Sequence, residues 1–351
     1  MNPNPCLVAP SESLPLAREI GAQAQIPLAG LEERAFEGGE FKLRPLECLR
    51  GRPAFVVQSL IGSQDVPVGT RLLRLLFLLL GVRDAGCSPR IAVIPYMAFA
   101  RKDRRTQPHD PVTSRYVAEL LEAAGADGIV ALDVHNPAAL DNAFRVPVDH
   151  LSAAPLLVDH FARRLGCEPL CVVSPDVGGI KRAQRFQELL GAHLGRPTEL
   201  AFVEKRRALG VVSGGQLAGT VAGRHVIVLD DLCATGGTLI RAAQACRAAG
   251  AAAVHAAVTH APLPEGLAAV LSADCIADVT HTDSAAAAIL VQAADTPRLH
   301  VLPIAPLLGQ ALRRIVLGKA LDPMLTDWPV SLEDDSPGTP PATPARDAEP
   351  V

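Results

Sequence analysis

The chain has 351 residues, which at roughly 100–200 residues per domain predicts two domains. Its hydrophobic content of 49% is enough for a sizeable core and excludes a chain that is disordered throughout. Lys and Arg number 33 against 37 for Asp and Glu, a net charge of −4. This balance, with an aromatic content of only 3%, argues against a basic nucleic-acid-binding surface and against aromatic platforms that stack on bases.

Neither the N-terminus nor the most apolar segment of the chain has the pattern of an export signal or a membrane span. The N-terminal residues carry neither the basic nor the apolar region of a secretory signal peptide. The most apolar segment, Leu72–Val82, contains Arg74 and is shorter than the ~20 residues that cross a bilayer, so it predicts a buried helix. The 8 cysteines are not spaced as zinc ligands. We therefore expect a cytoplasmic protein that binds neither a membrane nor a nucleic acid.

Short apolar runs followed by helical stretches recur along the chain. Such alternation predicts an α/β fold with mostly parallel sheets, and continuous apolar runs are typical of strands buried on both faces. In chain order the predicted strands are Ala54–Gln58, Arg90–Ile94, Gly128–Leu132, Leu170–Val173, His225–Leu229 and Ala253–Thr259.

Two pairs of segments are similar to one another. The strand and basic cluster that begin at Ile91 are echoed from Cys171, and the strand from Ile129, which ends in Asp and a loop, is echoed from Val226. The two offsets differ by roughly 17 residues, which predicts a duplicated domain whose second copy carries an insertion. Chance similarity between two βα units is the alternative explanation.

These observations divide the chain into three parts. We predict an N-terminal domain over residues 1–152, a C-terminal domain over 153–325 and a disordered tail over 326–351. The tail is rich in Pro, Asp, Glu, Ser and Thr and cannot bury enough apolar area to order itself. The insertion, at about 203–222, is rich in Gly and basic residues, which predicts a mobile loop.

The strongest local signal is VIVLDDLCATGGTLIRAAQACRAAG. A strand ends in Asp230 and Asp231, and a turn of small residues leads into an Ala-rich helix at Thr238. Backbone N–H groups in such a turn can approach an anion, and the helix N-terminus adds a favourable dipole. The two carboxylates suit vicinal sugar hydroxyls or a hydrated Mg²⁺. The segment matches neither a Walker A loop nor a GxGxxG loop; a merely structural strand–helix turn is the alternative.

Several segments, in order, resemble the ribose-phosphate pyrophosphokinase (phosphoribosyl-pyrophosphate synthetase) family. The resemblance runs from about Leu7 to Lys319 through FEGGE, RGRPAFVVQS, VIPYMAFARKDRR, ALDVHNP, VPVDHL, VVSPDVGGIKRA, EKRR and VLDDLCATGGT. It implies two tandem type I phosphoribosyltransferase-like domains. It also implies a diphosphotransferase that moves the β,γ-diphosphoryl group of MgATP to O1 of ribose 5-phosphate, giving 5-phosphoribosyl 1-pyrophosphate and AMP.

The resemblance assigns ATP mainly to the N-terminal domain. It implies that Phe36 and Glu40 lie in the adenine-binding segment and that Arg101, Lys102 and Asp103 contact the nucleotide. From the residues alone, FEGGEF is a turn with an aromatic that is more often part of a core. The basic run is equally consistent with a solvated loop.

The resemblance assigns the metal and the transferred group to later motifs. It implies that His135 contacts the metal–nucleotide group, that Asp176 is a second Mg²⁺ contact, and that Lys205 and Arg207 are catalytic cations. Two cations would stabilise the negative charge that spreads over the transferred group in the transition state. Alone, a histidine after a strand is more often structural, and EKRR is more often a solvated turn. The implied ribose 5-phosphate site consists of Asp230, Asp231, Thr235, Gly236, Gly237 and Thr238.

The sequence departs from the family pattern at two positions. Lys102 stands where the family has Gln, and Ala234 stands where many synthetases carry a third carboxylate. Two alternatives stay open: a phosphoribosyltransferase that uses phosphoribosyl pyrophosphate and a nucleobase, and a non-catalytic regulatory paralogue. The resemblance also implies a homo-oligomer built from dimers, with a hexamer as one candidate size.

Overall fold

The computed structural model describes residues 4–63, 65–208, 211–285 and 296–325. The strands in chain order are β1 (Cys6–Val8), β2 (Leu31–Ala35), β3 (Phe41–Pro45), β4 (Ala54–Val57), β5 (Arg90–Ile94), β6 (Gly128–Leu132), β7 (Val148–Leu151), β8 (Leu170–Ser174), β9 (Glu199–Ala208), β10 (Val211–Ala218), β11 (His225–Leu232), β12 (Ala253–His260), β13 (Asp278–Thr282) and β14 (Leu299–Leu302). The helices are α1 (Leu14–Ala24), α2 (Val68–Asp84), α3 (Thr113–Ala123), α4 (Pro137–Ala143), α5 (Ala154–Leu165), α6 (Ile180–Leu194), α7 (Gly237–Ala248), α8 (Pro264–Leu271) and α9 (Ala305–Val316). The predicted tail, 326–351, lies outside the described residues.

Two mostly parallel sheets form the framework. The first sheet has the order β1-β4-β5-β6-β7, and each neighbouring pair is parallel. The second has the order β10-β9-β8-β11-β12-β13-β14 and is parallel except between β9 and β10. Strands β2 and β3 form a separate antiparallel ribbon. This architecture confirms the predicted α/β fold class.

The predicted strands are all present, with ends that differ by at most three residues. They are continuous apolar runs because helices cover both faces of each sheet; every residue of β6 and β8 is buried. The strands that resemble one another also hold similar places. In the first sheet β5 lies beside β6, and in the second β8 lies beside β11.

The insertion differs from the prediction. Instead of an open loop, most of residues 203–222 belongs to the β9–β10 hairpin, whose antiparallel register pairs Val211 with Ala208 and Ala218 with Phe202. The Gly content that suggested a loop is accommodated by a shift in register between Val212 and Gly215. β9 is held on its other side by β8, so pairing with the sheet outweighs the local composition.

Helix α2 is buried along only one face. Leu75, Leu78 and Leu79 are fully buried against the first sheet, whereas Leu73 and Phe77 are 41% and 47% exposed. The prediction of a buried helix is thus right for one face and wrong for the other. Within the described ranges, no helix is both long and apolar enough to cross a membrane.

The last helix of the described chain packs on the first. Ile304, Leu308 and Leu312, in and just before α9, share a core cluster with Ile20 of α1 and with strands of the first sheet. The approach is close at Gly309, where an added Cβ would lie 3.1 Å from the Ile20 carbonyl oxygen. The core of the N-terminal half is therefore completed by residues that follow the second sheet.

Candidate functional site

The two sheets meet at a cavity of about 250 Å³. The last residue of each of three strands lines it: Leu132 of β6, Leu232 of β11 and His260 of β12. Ligands of open α/β sheets bind outside the carboxyl ends of the strands, which is where this cavity lies. Because one strand comes from the first sheet and two come from the second, both halves of the chain contribute to the site.

A hydrogen bond joins the two halves inside this cavity. His135, in the loop after β6, lies with Nδ1 2.8 Å from Oδ2 of Asp231 on β11. Arg182 of α6 donates from one nitrogen to both neighbouring carboxylates, at 3.0 Å to Asp231 and 3.2 Å to Asp230. Asp231 is only 6% exposed, so its charge depends on these two partners.

The close charges shift the titration of all three acidic and imidazole groups. Burial and the neighbouring charge of Asp231 raise the pKa of Asp230 well above its ordinary value. Burial also raises the pKa of Asp231, but the hydrogen bond from His135 and the charge of Arg182 outweigh burial and hold that pKa low. The bond to Asp231 in turn raises the pKa of His135. The aspartate pair resists carrying two charges, and a bound cation would relieve that cost.

The loop that carries His135 is fixed by its own polar residues. Asp133 has a left-handed backbone with φ of 38°, uncommon for a residue other than glycine. Asn136 accepts from the Ala139 amide at 3.2 Å and thereby caps α4. The same side chain donates to Asp103 at 2.6 Å, so the loop after β6 is tied to the loop after β5.

The turn between β11 and α7 has the form expected of an anion site. Helix α7 begins at Gly237, and the preceding Gly236 has φ of 76°, which few other residues adopt. The N–H groups at the start of a helix have no carbonyl partner within it, so the start of α7 is suited to binding an anion. The turn packs closely on α8, because an added Cβ at Gly266 would overlap the Ala234 carbonyl oxygen.

The residues predicted to contact the nucleotide lie partly at the cavity. Arg101 and Lys102 line it, whereas Asp103 is not among the lining residues and accepts the hydrogen bond from Asn136. Lys102, which departs from the family pattern, pairs with Asp110, and that bond lowers the pKa of the Asp110 carboxyl. The charge introduced by Lys102 is thus balanced within its own loop.

Asp176 follows β8, the strand beside β11. Its Oδ1 accepts from the Gly179 amide at 3.2 Å and caps a short 3-10 turn. Among the described residues, no group of three or more His, Cys, Asp or Glu is arranged to hold a metal ion. The donors present nonetheless fit Mg²⁺, which uses one or two carboxylates together with phosphate oxygens and water.

The remaining predicted residues lie away from the cavity or outside the description. Phe36 and Glu40 are exposed at the tip of the β2–β3 ribbon, where the Arg34 guanidinium lies 5.2 Å from the Phe36 ring centre. They do not line the cavity. Lys205 and Arg207 pair through their backbones in β9 with Gly215 and Val212, and their side chains lie outside the described residues.

Sequence reasoning missed part of the site. From the sequence alone, Arg182 in the run after Asp176 is equally consistent with a phosphate contact and with a solvated side chain; the structure places it on both aspartates. Asp133, Thr259 and His260 were not singled out. The available signal was their position: Asp133 directly follows β6, and Thr259 and His260 are the last two residues of β12, so all three lie at the carboxyl edge of a sheet.

Comparison with known proteins covers both halves of the chain. A family model described as the N-terminal domain of ribose phosphate pyrophosphokinase matches residues 6–125. A model of the phosphoribosyl transferase domain matches residues 152–270. The two matches agree with the predicted resemblance and with the presence of two sheets.

Similar full-length proteins give the same result. The ribose-phosphate pyrophosphokinase of Granulibacter bethesdensis is 37% identical over 88% of this chain and 96% of its own length. That of Hyphomonas neptunium is 35% identical over 88% of this chain and 96% of its own length. The crystal structure of phosphoribosylpyrophosphate synthetase from Mycobacterium smegmatis superposes with a TM-score of 0.79, at 30% identity over 90% of this chain and 99% of that one. The protein therefore belongs to the ribose-phosphate pyrophosphokinase family of diphosphotransferases.

Proposed function

We propose that this chain transfers the β,γ-diphosphoryl group of MgATP to O1 of ribose 5-phosphate. The O1 oxygen forms a bond to the β-phosphorus, the bond from that phosphorus to the α–β bridging oxygen breaks, and AMP leaves; the O1 proton passes to solvent. The observation that carries the proposal is the pairing of His135 with Asp231 across one cavity, at 2.8 Å. It brings the loop predicted to hold the nucleotide to the loop predicted to hold the sugar phosphate.

The sugar phosphate is assigned to the turn between β11 and α7. The N–H groups at the start of α7, with the hydroxyls of Thr235 and Thr238, would bind the 5-phosphate. Asp230 and Asp231 lie near the carboxyl end of β11, just before this turn, and would accept hydrogen bonds from ribose hydroxyls. Ala234 offers no carboxylate here, so sugar recognition depends on these two aspartates.

The nucleotide is assigned to the facing loops. Arg101 and Lys102 line the cavity and would contact the phosphates and ribose of ATP, while Phe36 and Glu40 would contact adenine. Arg182 holds both aspartates in place, and His135 and Asp176 would contact the Mg²⁺–nucleotide group. Bound Mg²⁺ would neutralise phosphate charge and thereby make the β-phosphorus easier to attack.

Lys205 and Arg207 are assigned to the transferred group. Their backbones lie in β9, beside β8, the strand that leads to Asp176. Cations at this end of the second sheet would offset the charge that grows on the diphosphoryl oxygens. Phosphoryl transfer requires little covalent chemistry from a protein, so positioning and charge are the expected contributions.

Phosphorus NMR tests the proposal. Purified protein with Mg²⁺ and ATP should form AMP and a C1-linked diphosphate only when ribose 5-phosphate is present. No turnover by folded protein would contradict the proposal, and phosphoribosyl pyrophosphate with a panel of nucleobases would then test the transferase alternative. A transferase of that kind requires one domain, and it leaves the cavity-lining Arg101 and Lys102 of the first half without a role.

Assembly and location complete the proposal. We expect a homo-oligomer built from dimers, with hexamers as one candidate size, in the cytoplasm. Light scattering during gel filtration measures the oligomer size, and fractionation of the source cells tests the cytoplasmic location. A monomer at micromolar concentration would contradict the expected assembly.

A further inference from the structure

Two buried residues at the end of β12 reach across the boundary between the halves. Thr259 and His260 are each 3% exposed, and neither has a role in the function described above. The Thr259 hydroxyl donates to Oδ2 of Asp133 at 2.5 Å. Nε2 of His260 lies 3.1 Å from the backbone carbonyl oxygen of Leu132, which can only accept, so Nε2 carries the proton. Both contacts join the second sheet to the end of β6.

The residues they reach determine how the loop after β6 leaves the strand. Asp133 holds its left-handed conformation because its carboxylate accepts three hydrogen bonds, from the Thr259 hydroxyl, the Ser152 hydroxyl at 2.9 Å and the Ala153 amide at 2.9 Å. A backbone of this kind persists only where its surroundings fix it. His135 follows two residues later, so the direction of this turn sets the position of the imidazole.

The same part of the second sheet also holds the partner of His135. Strands β11 and β12 are neighbours, with Leu232 paired to His260, so Asp231 lies one strand away from Thr259 and His260. His260 is fixed in turn by Ser284, whose hydroxyl lies 2.7 Å from Nδ1. The second half of the chain therefore contacts the loop both at its base and at His135.

We propose that Thr259 and His260 are positioning residues for diphosphoryl transfer. By holding Asp133 and Leu132 they fix where His135 meets Asp231, and hence the spacing between the nucleotide side and the sugar side of the cavity. Thr259 acts through Asp133 rather than by touching substrate. The inference rests on the proposed function, because it assigns His135 to the nucleotide side.

The expected signature is a loss in turnover with little change in sugar binding. A displaced His135 disturbs alignment in the transition state, where a misplacement of about 1 Å can cost roughly a hundredfold in rate. The turn between β11 and α7 does not include either residue, so ribose 5-phosphate should still bind. We expect Thr259→Val to lower kcat by about ten- to a hundredfold, with the KM for ribose 5-phosphate changed by less than about threefold.

Matched variants separate positioning from stability. Thr259→Ser keeps the hydroxyl and should restore most of the kcat. Thr280→Val makes the same change at a fully buried threonine of β13, whose hydroxyl lies 3.2 Å from His160 and not at the cavity, and should turn over normally. Comparable losses of melting temperature in both valine variants, with kcat lost only at position 259, would support the inference.

The results that would count against the inference differ from those that would count against the proposed function. A Thr259→Val variant with normal kcat, or one whose kcat falls no further than that of Thr280→Val, would overturn the inference. If Thr259→Val does not fold, His260→Phe keeps a ring of similar size but removes the bond to Leu132, and the same split between kcat and KM is expected. Failure of the unaltered protein to make phosphoribosyl pyrophosphate would instead count against the proposed function.

Discussion

Gly266→Ala tests whether the turn between β11 and α7, which we propose binds the 5-phosphate, depends on its packing against α8. An alanine Cβ at this position would overlap the Ala234 carbonyl oxygen and lie 2.7 Å from the carbonyl carbon, against about 3.4 Å for ordinary contact. Both neighbours are backbone, so α8 and the turn must separate by on the order of 1 Å. We expect the free energy of unfolding to fall by about 1–3 kcal/mol, as in other overpacked sites.

The effect on binding follows from the same displacement. Moving the turn would displace the N–H groups that we propose bind the phosphate, and a hydrogen bond to a charged group contributes about 1.5–3 kcal/mol. The KM for ribose 5-phosphate should therefore rise about ten- to a hundredfold. Steady-state kinetics with varied ribose 5-phosphate at saturating MgATP measure it, and urea unfolding measures the stability.

A matched glycine provides the control. Gly81 lies inside α2, and an added Cβ there meets nothing within 4 Å. Gly81→Ala should stabilise the protein by about 0.5–1 kcal/mol, because alanine favours a helix, and should leave the KM unchanged. If Gly266→Ala behaved like Gly81→Ala in both assays, the packing of the turn against α8 would have no functional importance.

Three further predictions concern charged residues. Lys205→Ala should lower kcat by roughly a hundredfold or more while the KM for ribose 5-phosphate changes little, and near-normal turnover would remove Lys205 from the mechanism. Arg182→Met leaves Asp230 and Asp231 without their shared cation and should lower the free energy of unfolding by about 1–2 kcal/mol, measured in urea at pH 7; no change would refute the pairing. Burial raises the pKa of Asp283 to about 6, whereas an unfolded Asp titrates near ~3.9, so this carboxyl costs stability as the pH rises from about 4 through about 6. Asp283→Asn keeps an acceptor for the Ile304 amide and should stabilise the protein by about 2 kcal/mol at pH 7 and not at pH 4, and an equal gain at both pH values would contradict this origin.

The sheet framework could be predicted from sequence because burial of a parallel sheet leaves a strong local signal. Gly128–Leu132 is a continuous apolar run bounded by polar residues, and the observed β6 has the same bounds. The β9–β10 hairpin was predicted wrongly because its Gly and basic residues are typical of loops. Its strand β9 pairs with β8 of the sheet, and this long-range pairing leaves no signal in the local sequence.

In the site too, contiguous motifs could be predicted from the sequence, whereas contacts between residues far apart in the chain could not. The Asp230–Asp231 pair and the turn that follows form one contiguous motif, so they could be predicted together. The contact between His135 and Asp231 spans 96 residues of sequence and depends on how two sheets meet. Thr259 lacked any signal beyond its place near the end of a strand, because its significance comes from Asp133 on the other half of the chain. The catalytic assignment of Lys205 and Arg207 stays a prediction.

The packing of α9 on α1 has a consequence for how the protein is made. A duplicated sequence suggests two modules that could be cut apart near residue 152 and produced separately. Here Leu308 and Leu312 complete the core around Ile20, so the half that leaves the ribosome first cannot close its apolar surface until α9 has been translated. A fragment ending near residue 152 would expose that surface and tend to aggregate, and adding α9 back to it as a separate peptide would cover the gap.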